Sequence, residues 1–194
     1  MIANRFRQKI ADVFFGSQKK PLDPHQKAYY KCLEASRRQE FYTEFEVADT
    51  FDGRFDMLCL VMSIYMQKLS QDTEKTKQFS QNLFDAMFKD IDLTLREMGA
   101  GDLGVGKRVK VMSESFMGRL TKYSQSVENK DATMLADTLS RNLYRKAGSV
   151  KEDSTITQFV FNFYEQMTIL EAEYLISEDF NMNDFIATCL GSQR

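Results

Sequence analysis

The chain has 194 residues, 43% of them hydrophobic, with a formal net charge of −2 at pH 7 and a pI near 5.6. That length suits one domain with a substantial core, and the charge excludes a general nucleic-acid binder, so no DNA partner is expected. The single histidine, His25, excludes a histidine-built metal centre by count and leaves nucleophilic catalysis one candidate base, which sits beside Pro24 where a helix should open.

Cys32, Cys59 and Cys189 are far apart and odd in number. They read as reduced thiols, with neither a disulfide framework nor a metal knuckle. No metal and no cofactor is expected. The longest apolar run, Met57 to Met66, holds ten residues. A bilayer core of about 30 Å needs roughly twice that in a helix. The N-terminus shows no sustained apolar core and no small-residue cleavage site, so no secretory signal is read there.

Residues 2–15 read IANRFRQKIADVFF. Ile2, Phe6, Ile10, Val13 and Phe14 share one helical face, and Arg5, Arg7 and Lys9 lie off it. Residues 1–20 hold five bases against Asp12, a net of +4, so the remaining 174 residues carry −6. A basic amphipathic helix ahead of an acidic body can lie on an anionic membrane surface, with Arg5, Phe6, Arg7 and Lys9 as the contact. The alternative is a first helix docked on the core.

Asp23-Pro24 predicts a helix entry, with Asp as cap and Pro in the first turn. That helix runs to about Arg38, with Ala28, Tyr29, Cys32 and Leu33 inward. Gln39 to Phe45 reads as a short aromatic helical turn, and Val47 to Phe51 as a connector. Asp52-Gly53-Arg54-Phe55-Asp56 opens the most apolar helix, through roughly Ser70, with apolar groups nearly all round it as a central helix requires. Arg54 and Asp56 are placed to pair with charges on the hairpin that follows, a structural role by default. Residues 71–77 form a linker.

The stretch Leu83 to Leu120 organises the chain. Leu83, Met87, Ile91, Leu95 and Met98, then Val105, Val109, Met112, Phe116 and Leu120, recur at helical spacing. Gly99, Gly101, Gly104 and Gly106 interrupt them. Each glycine costs about 1 kcal/mol inside a helix, so the four end one helix and loosen the start of the next: a helical hairpin with a glycine corner. On the first arm, Asp85 precedes Lys89 and Asp92 precedes Arg96 by four residues, pairs that stabilise a helix and need no catalytic role.

Gly101 to Lys107 spells GDLGVGK, a literal G-x-x-x-x-G-K. Arg108 follows where magnesium binding needs Ser or Thr, and a helix precedes where a strand is required, so a phosphate loop is not expected. Lys107, Arg108 and Lys110 fall in the opening turns of the outgoing helix, where the dipole disfavours cations by about 0.3–1 kcal/mol each. Asp102 is placed to cap that end. Three bases there either meet an anionic partner or point into water.

Ala132 to Lys146 predicts a helix with Leu135, Leu139 and Leu143 inward, stopped by Gly148. Asp153-Ser154 caps the last long helix, whose stripe is Ile156, Phe159, Val160, Phe163, Met167, Leu170 and Tyr174. Beyond Ser177 the pattern decays, and Phe180 to Leu190 reads as a short turn or loose chain. The whole predicts an all-α single-domain irregular bundle of seven or eight helices with no sheet. It divides into a basic amphipathic helix (1–20), a helical body (21–177) and a C-terminal tail (178–194).

The pieces DTFDGRFDML (49–58), LFDAMFKDID (83–92), REMGAGDLGVGKRVKVM (96–112) and FMGRL (116–120) resemble the ubiquinol–cytochrome c chaperone family, assembly factors of the ubiquinol–cytochrome c reductase complex. The resemblance covers roughly residues 20–175, and its GDLGVGKRVK core is distinctive. The chain is short, without a long N-terminal extension, and so resembles bacterial members. The resemblance implies an all-α fold, no catalysis, and a client in newly made cytochrome b; mitochondrial relatives also act with a small partner and associate with the ribosome. It implies work in the cytoplasm, peripheral to the inner face of the cytoplasmic membrane. The residues that match the signature are candidates for a partner- or anion-binding surface: Asp52, Gly53, Arg54, Asp56, Asp102, Lys107, Arg108 and Lys110. Eleven methionines suit adaptable apolar surface, although most, such as Met62 and Met87, are expected in the core. The competing expectation is a helical lipid- or small-ligand-binding protein that uses the basic corner at 99–110.

Overall fold

The computed structural model describes residues 22–99 and 101–191. Nine helices and no strand occur among them: α1 (Pro24–Ala35), α2 (Gln39–Thr43), α3 (Phe51–Ser70), α4 (Glu74–Glu97), α5 (Asp102–Glu128), α6 (Ala132–Asn142), α7 (Thr155–Ile169), α8 (Ala172–Leu175) and α9 (Met182–Gly191). The expected all-α bundle is present. Two of the nine, α2 and α8, are short helical turns. The expected helix over 2–15, with Arg5, Phe6, Arg7 and Lys9, lies outside the described residues.

α3 is the centre, as its all-round apolar pattern requires. Met57 to Met66 are buried without a break, and α1, α4, α5 and α7 pack on it. Its start is fixed by Thr50, whose side chain accepts from the Gly53 amide at 3.1 Å. α4 begins earlier than the sequence suggested, at Glu74, because Thr73 and Thr76 close a reciprocal cap within the stretch read as linker.

α4 and α5 form the expected hairpin. Phe84 and Phe88 meet Phe116 across it, with ring centroids 5.7 and 5.9 Å apart. The corner is tighter than predicted. Gly99, at φ +84°, ends α4 in the left-handed region that glycine tolerates, and its amide bonds to the Arg96 carbonyl at 3.0 Å. Gly101 is the cap of α5, so Asp102 is the first helical residue instead of the cap. Gly104 and Gly106 sit inside α5, not in a loop.

α5 runs parallel to α3: Arg119 stands beside Asp56, and Glu128 beside Gln67 and Gln71. The stretch read as loose after Ser177 is α9, which packs on α1 and α7. Phe180, Met182, Ile186 and Cys189 are buried, Asn162 donates to the Cys189 carbonyl at 2.9 Å, and Lys31 donates to the Phe180 carbonyl at 2.6 Å. α7 ends at Ile169, so Tyr174 leaves its stripe and is exposed. Met62 and Met87 are core residues, while Met98 and Met117 are exposed.

Candidate functional site

The N-terminal end of α3 meets α5 and the turn after α6 in an ion-paired junction. Asp52 and Asp56 are one helical turn apart and therefore share a face. Arg145 reaches both: its Nη1 donates to Asp52 Oδ2 and its Nε to Asp56 Oδ2, each at 2.9 Å. Arg119 Nη2 lies 2.8 Å from Asp56 Oδ1, and its guanidinium sits 5.5 Å from the centroid of the Phe55 ring. Asp56 is 1% exposed and the Arg119 side chain 11%. Burial pushes the Asp56 carboxyl up, and the Arg145 and Arg119 guanidiniums oppose that shift.

Gly53 completes the junction for a steric reason. A Cβ there would stand 2.0 Å from the Ala48 carbonyl oxygen. The connector can lie against α3 only where the helix has no side chain. Tyr144 anchors the other wall by donating to the Phe45 carbonyl at 2.6 Å. A cleft of about 170 Å³ opens here, lined by Glu46, Thr50, Asp52, Gly53, Asp56 and Arg145 among others. Glu46 and Arg145 have left-handed backbones, at φ 57° and 54°.

Four of the signature candidates, Asp52, Gly53, Arg54 and Asp56, lie at this end of α3, but Arg54 does not join the network. Arg54 pairs with Asp49 at 2.5 Å on its own connector, so its expected contact with the hairpin is replaced by a local one. Asp56 does pair with the hairpin, through Arg119.

Lys107, Arg108 and Lys110 are separate. Arg119 is nine residues beyond Lys110, about 14 Å along the axis at 1.5 Å per residue. All three bases are exposed. Lys110 approaches Glu114 at 3.9 Å, and among the described residues Lys107 and Arg108 have no ion-pair partner. The Gly101–Lys107 stretch is the cap and opening turns of a helix, with the Gly104 and Val105 amides bonded to the Gly101 carbonyl at 2.8 and 3.1 Å. A phosphate loop needs those amides free. The cleft at the junction takes no residue from 99–110.

Two partners went unread in the sequence. Arg119 lies within FMGRL, and Arg145 follows α6 in an irregular turn. A second buried carboxylate was also missed: Asp90 on α4 accepts from the Tyr29 hydroxyl at 2.6 Å. Burial pushes Asp90 up, opposed by the Tyr29 hydrogen bond. Asp92 pairs with Arg96 at 2.5 Å as expected, while Asp85 accepts from Gln81 at 3.0 Å. All three cysteines are free and buried, and among the described residues no group of His, Cys, Asp or Glu is arranged to hold a metal.

These features define an all-helical scaffold with a buried ion-paired junction at one end of its central helix and an exposed basic cluster on α5. Residues 43–180 match the profile of the ubiquinol-cytochrome C chaperone family, and the chain belongs to that family. It is 18% identical over 148 residues to the mouse ubiquinol-cytochrome c reductase complex assembly factor 1 and 19% identical to the human one, covering 76% of this chain in each case. The chain spans about half the length of those relatives, since the match covers 50% of each. The crystal structure of the Cbp3 homolog from Brucella abortus superposes with a TM-score of 0.72 at 28% identity, covering 93% of this chain and 96% of that one.

Proposed function

We propose that this protein is a non-enzymatic assembly chaperone for the ubiquinol–cytochrome c reductase complex, with newly made cytochrome b as its client. The observation that carries the reading is the family match over 43–180, which contains both the ion-paired junction and the basic face of α5. Asp52, Gly53, Asp56, Arg119 and Arg145 hold the scaffold, while Lys107, Arg108 and Lys110 face outward for an anionic partner. No helix among the described residues is long and apolar enough to cross a membrane. The working place is the inner face of the cytoplasmic membrane, which the basic segment 1–20 suits. Ribosome association follows from the resemblance alone, and co-sedimentation with translating ribosomes tests it.

The deciding experiment is affinity purification from membranes solubilised in mild detergent, with wild type beside Lys107→Ala/Arg108→Ala/Lys110→Ala. Cytochrome b is expected to co-purify with the wild type. Its loss in the variant places the client surface on α5, and its retention places that surface elsewhere. Absence of cytochrome b from both refutes the client assignment.

A further inference from the structure

α5 presents a face that is exposed among the described residues. At 100° per residue, Lys107, Lys110, Val111, Glu114 and Gly118 fall opposite the buried Val105, Phe116 and Tyr123. Gly104, Arg108 and Lys122 lie along one edge of that face. Val111 is 56% exposed and Met117 48%, and at the hairpin's end Met98 is 60% exposed. Glu114 is the one carboxylate on this face among the described residues, and it stands 3.9 Å from Lys110. The four bases Lys107, Arg108, Lys110 and Lys122 against Glu114 leave a net of +3 on a chain whose total is −2. A Cβ added at Gly104, Gly106 or Gly118 would meet nothing within 4 Å among the described residues, so packing among them requires none of these glycines.

We infer that this face of α5 docks on an anionic lipid bilayer. The bases reach headgroup phosphates, and Val111 and Met117 rest at the boundary with the acyl chains. Lys107 to Lys122 span about 22 Å of helix. A folded protein partner would have to set carboxylates against these bases at matching spacing along that length. A fluid headgroup layer supplies phosphates at any spacing. The small side chains between the bases keep the face low, so the long basic chains and two apolar groups set the approach. This adds a second membrane contact to segment 1–20 and fixes which side of the bundle faces the bilayer. The inference rests on the assembly-factor reading only for its purpose.

The test is co-sedimentation of the full chain with phosphatidylcholine vesicles, with and without phosphatidylglycerol. The variants are Lys107→Gln/Arg108→Gln/Lys110→Gln and, separately, Arg5→Gln/Arg7→Gln/Lys9→Gln. Each base near an anionic surface contributes about fivefold in partitioning. The α5 variant should therefore bind the anionic vesicles about a hundredfold more weakly, while its far-UV circular dichroism is unchanged. Wild-type binding should fall as salt shortens the Debye length. Equal binding to both vesicle types overturns the inference, as does a loss confined to the N-terminal variant. If the α5 variant keeps vesicle binding but loses cytochrome b in detergent, the face belongs to a protein partner and the inference also fails. No client is present in the vesicle assay, so its outcome leaves the client assignment to be decided by the purification.

Discussion

Gly53→Ala separates steric necessity from helix propensity. The new Cβ would sit 2.0 Å from the Ala48 carbonyl oxygen, a backbone atom that cannot rotate away. Ordinary contact needs more than 3 Å, so the connector must shift by about 1 Å or more. It is held where it is: the Ala48 carbonyl accepts from the Thr50 amide at 2.8 Å, and Thr50 caps Gly53 at 3.1 Å. Overpacking of this kind costs about 1–3 kcal/mol, and loss of the cap about 1 kcal/mol more. Ala gains about 1 kcal/mol over Gly in a helix. The net expectation is destabilisation by about 1–3 kcal/mol, or a Tm lower by roughly 2–10 °C for a chain of this length. Gly104→Ala is the control, because the same substitution there meets nothing within 4 Å among the described residues and should stabilise by up to about 1 kcal/mol. Denaturant unfolding followed at 222 nm measures both. A Gly53→Ala protein as stable as wild type, or two variants that move the same way, would refute the steric argument.

Tyr65→Phe removes the hydroxyl that donates to the Leu175 carbonyl at 2.6 Å and should cost about 1–3 kcal/mol by leaving that buried acceptor unpaired; urea unfolding reads it. Asp90 has its pKa raised by burial, so folding favours its protonated form. Its contribution to stability is full below the ordinary carboxylate value and falls as pH rises through its folded pKa. Asp90→Asn should therefore flatten the fall of stability above about pH 4 and be neutral to stabilising at pH 7. Paired denaturation curves across that range check the slope, and an unchanged slope counts against Asp90 as its source.

The helices of the body were legible because their apolar residues recur at helical spacing and their starts carry caps, as at Asp23-Pro24 and Ser154. α9 was missed although Met182, Phe185, Ile186 and Cys189 keep that spacing. Ten residues give a weak pattern, and α9 is held by docking on α1 and α7 rather than by propensity. Asp90 sits three residues after Met87, a spacing that pointed inward, but a carboxylate on a charged helix reads as solvent-facing until its tyrosine partner is known. Of the junction, Asp52, Gly53 and Asp56 were singled out, with Arg54, because the resemblance to the chaperone family marked them as signature residues. Their partners lie 63 and 89 residues away from Asp56, at Arg119 and Arg145. Pairing at that range depends on the parallel course of α3 and α5 and on the left-handed turn at Arg145, and local sequence encodes neither.

α5 carries both the ion-paired junction and the exposed bases, and the roles we propose for them divide along it. Arg119 is held in the junction, and Lys107 stands twelve residues away, about 18 Å along the same rod. Asp56→Asn should cost about 3 kcal/mol or more, because Arg119 stays buried without its counter-charge. The exposed Arg145–Asp52 pair contributes under about 1 kcal/mol and cannot compensate. Yet Val105, Phe116, Tyr123 and Val127 bury the opposite side of α5 along its whole length. The helix should therefore keep its rotation, and its basic face should still point outward. Measured well below its lowered Tm, Asp56→Asn should bind anionic vesicles within a few-fold of wild type, whereas Lys107→Gln/Arg108→Gln/Lys110→Gln should keep its Tm and lose that binding. If folded Asp56→Asn loses vesicle binding as fully as the triple variant, then the junction sets the orientation of the face. In that case the division of α5 into a structural end and a docking end is wrong.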